Sequence, residues 1–117
     1  PQILHDYARI WQAAEKIVFS STLEAVSSRK TRIERTFDPR AIRRLKETAA
    51  QDISIGGPNL AAHAFRAGLV DECHLFLAPI LVGGGKASLP QDQRLELALL
   101  ETRRFVSGVV YLRYQVK

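Results

Sequence analysis

The tetrapeptide Ile55-Gly56-Gly57-Pro58 is the tightest constraint on what this chain can fold into. It separates a short β-branched run, residues 52–55, from a helical pattern over 59–67 that Gly68 ends. Two glycines let the backbone turn sharply and let a ligand approach without meeting a Cβ. Proline suits the first helical position, and glycine suits the position just past a helix end. The order strand, glycine turn, helix, glycine, strand predicts a right-handed βαβ unit. Its helix would aim free N–H groups and the positive end of its dipole at whatever fills the turn. An anion is the natural occupant. The motif is neither the dinucleotide G-x-G-x-x-G nor the P-loop pattern, so a purely structural tight turn is the competing reading.

The rest of the chain alternates helix-like and strand-like segments. Residues 6–15 place Tyr7, Ile10, Trp11 and Ala14 at helical spacing behind Asp6, a candidate N-cap. Residues 16–20 (KIVFS) are apolar on both faces and predict a buried, parallel strand, and the alternation of Ile33 and Phe37 with charged neighbours predicts a further strand over residues 31–36. Asp38 and Pro39 open a helix whose apolar stripe is Ala41, Ile42, Leu45 and Ala49. Residues 73–80 predict a strand, and 81–90, with three consecutive glycines, an irregular loop. Alternation at Leu95, Leu97 and Leu99 and again at Val110, Leu112, Tyr114 and Val116, across a Ser107-Gly108 turn, predicts an antiparallel hairpin. The expected class is α/β: one domain with a mixed, mainly parallel sheet and an antiparallel C-terminal hairpin. No linker interrupts it.

With 17 Lys and Arg against 12 Asp and Glu, the formal charge is +5, which favours anionic partners. Arg29, Lys30, Arg32 and Arg35 border a loop that could reach a phosphate, and an ordinary surface cluster is the competing reading. Arg40, Arg43, Arg44 and Lys46 fall on a predicted helix and read as a solvated face. No aromatic residue falls within either of these two basic clusters, which argues against a nucleic-acid module. No apolar run approaches the roughly 20 residues of a membrane helix. The first residues carry no signal-peptide pattern, and one cysteine forms no internal disulfide, so the expected location is the cytoplasm.

Other candidates for chemistry are few. Ser20, Ser21 and Thr22 stand at the carboxyl end of the strand that begins at Lys16, where hydroxyls can donate to phosphate oxygens or simply shape a turn. His5, His63 and His74 lack ligand spacing, so no metal site is expected. His63 lies on the helix after the glycine turn, where it lines a groove or the surface. Cys73 reads as a small apolar residue opening a buried strand. Asp71 and Glu72 are adjacent and form no acid/base pair. No residue is singled out as catalytic.

Taken together, KIVFSSTL, ISIGGPNLAAHAFRAGLVDECHLFLAPILVGGG and FVSGVVYLRY resemble the dihydrofolate-reductase-like superfamily, especially the reductase domain of the bifunctional riboflavin-pathway deaminase–reductases. The resemblance runs from Lys16 to Tyr114, and the middle block is its specific part. It implies a three-layer fold, a homodimer and an NADPH-dependent reductase acting on a small heterocycle, such as 5-amino-6-(5-phosphoribosylamino)uracil. It also implies that Ser20 and Ser21 contact the adenosine 2′-phosphate. Gly56, Gly57, Pro58, Asn59, Leu60 and Ala61 would then wrap the pyrophosphate and nicotinamide side. Two departures qualify it. Ile55 stands where that family commonly has an acidic, substrate-contacting residue, and residues 1–15 match none of the family's opening strand, helix and Gly-Arg segment. The expectation is a domain that begins after its substrate half. The alternative is a non-catalytic nucleotide-binding or dimerisation domain of the same fold.

Overall fold

Apolar spacing starts the first helix earlier than Asp6. Ile3 and Leu4 extend the stripe of Tyr7, Ile10 and Trp11 upstream, and α1 spans Gln2–Ala13 with Pro1 in the capping position. Asp6 therefore lies within the helix rather than capping it. Its carboxylate accepts a hydrogen bond from Gln2 Nε2 at 2.8 Å and pairs with Arg9. The computed structural model describes all 117 residues, in two compact units, Pro1–Asp38 and Pro39–Lys117.

In the first unit, α1 is followed by β1 (Lys16–Phe19) and β2 (Thr31–Glu34), which pair in parallel with Val18 opposite Ile33. Lys16 Nζ donates to the carbonyls of Trp11 and Ala14, each at 2.7 Å, so a cation satisfies orphaned acceptors at the negative end of α1. The same ammonium lies 4.4 Å from the centre of the Trp11 ring. Phe19 and Phe37 meet edge to face at 5.5 Å.

The second unit contains α2 (Pro39–Thr48), α3 (Pro58–Arg66), β3 (Glu72–Leu77), β4 (Leu97–Arg104) and β5 (Val110–Val116). Its sheet has the order β3-β5-β4 and is antiparallel throughout. The predicted C-terminal hairpin is present, and Gly108 at φ 94° makes its turn. The mainly parallel sheet is not. Residues 52–55 form no strand: Ile53 and Ile55 remain 48% and 42% exposed, and no neighbouring strand supplies a ladder. β3 pairs instead with β5, Leu75 opposite Leu112. Parallel pairing is confined to β1 and β2, and the expected βαβ unit lacks its first strand. β3 also stops at Leu77, three residues short of expectation, because Pro79 has no N–H to continue a ladder.

One irregularity matters to the sheet's faces. The register of β4 against β5 slips between Leu99 and Glu101, leaving Leu100 as an extra residue. Before the bulge, Leu97 and Leu99 oppose Val116 and Tyr114; beyond it, Glu101 and Arg103 oppose Arg113 and Tyr111.

The core of this unit is small: Ala64, Phe65, Leu69 and Cys73 are its buried apolar side chains. Three of them lie on α3 or just beyond its end. α3 closes with Gly68 at φ 69°, where Leu69 N–H donates to Ala64 O and Gly68 N–H to Phe65 O, both at 3.0 Å, a Schellman arrangement. The basic face of α2 proves to be more than solvated. Arg43 donates to Ala67 O at 2.6 Å, and Lys46 donates to Leu69 O at 2.7 Å and pairs with Asp71. Cations from α2 thus hold the carbonyl end of α3. Lys46→Met should lower unfolding free energy by about 1.5–3 kcal/mol, the range for a hydrogen bond to a charged group. Urea denaturation measures it, and an unchanged midpoint and slope would show that the contact contributes nothing.

Candidate functional site

The glycine turn stands at the free N-terminus of α3. Gly57 is the N-cap residue at φ 91°, a conformation closed to most side chains, and no side chain caps the helix. Pro58 occupies the first helical position and has no N–H. Ala61 N–H closes the first intrahelical bond, to Gly57 O at 2.9 Å. The N–H groups of Asn59 and Leu60 precede that bond and are left without intrahelical acceptors. A Cβ built on Gly56 or Gly57 would meet nothing within 4 Å. The predicted residues Gly56, Gly57, Pro58, Asn59, Leu60 and Ala61 are therefore one contiguous feature: an open, side-chain-free approach to a positive helix end.

Ser20 and Ser21 lie in the first unit, directly after β1. The Ser20 oxygen accepts hydrogen bonds from the N–H groups of Leu23 and Thr22, at 3.0 and 3.3 Å. The hydroxyl therefore shapes its own loop, and its proton remains to be donated. Arg35 braces the same loop by donating to the carbonyls of Ser20 and Leu23 at 3.1 and 2.5 Å. Ser21 is exposed.

A polar network on the β3-β5-β4 sheet escaped the sequence reading. Glu72 Oε1 lies 3.1 Å from both His74 Nε2 and Arg113 Nη1, and Tyr111 Oη lies 3.0 Å from His74 Nδ1. Arg113 and then His74 hold the Glu72 carboxyl below its usual range. Arg113 reaches on to Glu101 at 3.4 Å, and Glu101 to Arg103 at 3.0 Å. The signal is period two: Glu72 and His74 share a strand face, whereas the adjacent Asp71 and Glu72 do not. Cys73, between them, points to the other face, where burial pushes its thiol up and leaves it poorly nucleophilic, in keeping with an apolar packing role.

No helix is long and apolar enough to cross a membrane. Residues 3–111 match the RibD C-terminal domain family. The uncharacterised protein YyaP of Bacillus subtilis is 32% identical over 108 residues, which cover 91% of this chain. The chain spans 57% of that relative's length. Among solved structures, a candidate riboflavin biosynthesis protein from Shewanella sp. PV-4 superposes with a TM-score of 0.76 at 18% identity, over 97% of this chain and 70% of that one. A pyrimidine reductase-like protein from Corynebacterium diphtheriae gives a TM-score of 0.58 at 26% identity, over 76% of this chain and 40% of that one. The first likeness establishes a shared fold, and the family match extends over nearly the whole sequence. This chain belongs to the RibD C-terminal domain family.

Proposed function

We propose that this chain is the cofactor-binding part of an NADPH-dependent reductase of the riboflavin-pathway deaminase–reductase type. Its substrate would be 5-amino-6-(5-phosphoribosylamino)uracil or another small heterocycle. The observation that carries this reading is the family match over residues 3–111, which includes an open glycine turn at the head of α3. The residues present fit a nucleotide. Asn59 and Leu60 N–H groups supply donors for pyrophosphate oxygens, and Gly56 and Gly57 leave room for them. Pro58 fixes the backbone entering the helix, and the dipole of α3 favours the charge. When bound, the nicotinamide ring supplies the hydride, and the chain's task is to hold it in place and oriented. Ser20 and Ser21 would donate to the 2′-phosphate that separates NADPH from NADH.

Fluorescence titration of the full-length protein with each cofactor tests this. Ser21→Ala is the sharper variant, because Ser20 also secures its own loop. A hydroxyl bonded to a charged phosphate contributes about 1.5–3 kcal/mol, so Ser21→Ala should weaken NADPH roughly ten- to hundredfold and leave NADH unchanged. Failure of the parent protein to bind either cofactor would overturn the proposal. Tight NADPH binding without reduction of any pyrimidine or pterin would favour the non-catalytic alternative.

A further inference from the structure

The fold sorts the first basic cluster, Arg29, Lys30, Arg32 and Arg35, along the two parallel strands of the first unit. β1 and β2 pair with Phe19 opposite Glu34, so the next residues, Ser20 and Arg35, leave the sheet side by side at its carboxyl end. There Ser20 N–H donates to Glu34 O at 3.1 Å. Arg29 and Lys30 precede Thr31 at the opposite end, where Lys30 Nζ donates to Ala13 O at 3.2 Å, at the carbonyl end of α1. Four strand residues at about 3.3 Å each hold these two ends roughly 13 Å apart. That exceeds the screening length of about 8 Å at physiological salt. Arg32 lies between them and pairs with Glu34 at 3.5 Å.

Arg35 is held in another way. Its Nη1 donates to Ser20 O and Leu23 O, so backbone carbonyls fix it where a carboxylate fixes Arg32. The guanidinium is exposed and charged, and its Nε and Nη2 protons remain for another acceptor. The loop is also tied from within, because Ser20 Oγ accepts from the N–H groups of Thr22 and Leu23. Exposed Ser21 therefore sits in a braced loop with a fixed cation beside it.

We propose that Arg35 is a specificity-determining residue, the cation that reads the 2′-phosphate at the Ser20-Ser21 loop and sets the preference for NADPH over NADH. The proposal rests on the cofactor reading above and deepens it. A phosphate monoester carries about −1.5 to −2 charge at neutral pH, and neutral hydroxyls alone do not offset the loss of its hydration. Guanidinium is always protonated, more weakly hydrated than ammonium, and presents paired N–H groups that match phosphate oxygens. Because Arg35 is already tethered to two carbonyls, little side-chain freedom is lost when the phosphate arrives. NADH has a hydroxyl at that position and gains nothing from the charge. Arg29 and Lys30, a strand's length away, are too far to contribute.

Fluorescence titration of the full-length protein with NADPH and NADH, at about 0.05 and about 0.5 M salt, tests this. The parent should prefer NADPH, and high salt should shrink the preference. Arg35→Gln should weaken NADPH by about tenfold or more, leave NADH within about twofold, and remove most of the salt dependence. Arg29→Gln deletes the same charge at the other end of β2 and should bind like the parent. Where Arg35→Gln fails to fold, Arg35→Lys decides. It keeps a point charge without the paired donors, and should lose NADPH affinity severalfold with NADH unchanged. Equal losses for both cofactors at position 35 would reduce Arg35 to a structural brace and overturn the proposal. So would an equal effect of Arg29→Gln, or a salt dependence that Arg35→Gln leaves intact. A parent that prefers NADPH while the Arg35 variants keep that preference fails this inference alone. A parent that binds the two cofactors equally fails the cofactor reading, and this inference with it.

Discussion

Gly57→Val should abolish NADPH binding and lower stability together. At φ 91° a β-branched residue is strained, and such conformations cost about 1–3 kcal/mol. Its side chain would also enter the open space that the proposed pyrophosphate needs. Gly56→Val separates the two effects. Gly56 is not in the positive-φ region and its Cβ meets nothing within 4 Å, so that variant should keep its denaturation midpoint and still lose the cofactor. Thermal shift with NADPH provides a second readout. Ligand at a hundred times Kd stabilises a native state by about 2.7 kcal/mol, and neither variant should show that gain. Gly56→Val binding NADPH as tightly as the parent would reduce the turn to a structural role.

Phe65→Ala should be the most destabilising single truncation in the second unit, by about 3–5 kcal/mol in urea denaturation. Its ring is the largest among the four buried apolar side chains, and Ala64, Leu69 and Cys73 have little bulk with which to fill the space. Leu81→Ala, at 99% exposure, should stay within about 0.5 kcal/mol of the parent. Comparable losses at the two positions would mean that the core lies elsewhere. Because the glycine turn heads the same nine-residue helix, the Phe65 variant should also bind cofactor more weakly. A core deletion would thus be felt at the opposite end of α3.

Local chemistry made much of this architecture readable in advance. Pro39, Pro58 and Gly68 mark helix boundaries because their backbone preferences act within one residue of where they stand, and α2 and α3 fall where expected. The terminal hairpin was legible because alternation and the Ser107-Gly108 turn agree. The failures share one cause, dependence on distant partners. Residues 52–55 have the composition of a strand, but a strand exists only where another backbone lies alongside to share its hydrogen bonds. Whether β3 pairs in parallel or antiparallel is likewise decided by β5, nearly forty residues away in the register Leu75↔Leu112. For the candidate site, the glycine turn was visible because its residues are contiguous. The Glu72–His74–Tyr111 cluster was not, since Tyr111 arrives from another strand.

The slip at Leu100 makes the length of β4 carry meaning as well as its composition. Leu97, Leu99, Glu101 and Arg103 all bear odd numbers and in an unbroken strand would all look the same way. The single extra residue divides the strand into two half-strands of opposite parity. Leucines are thereby committed to the side of Tyr114 and Val116, while Glu101 and Arg103 are delivered to the side of Arg113 and Tyr111. The spacing works as a reading frame: the charged pair stays on the side of Arg113 only while Leu100 is held out of the ladder, and a strand that took Leu100 into regular pairing would send two charged side chains toward the leucines.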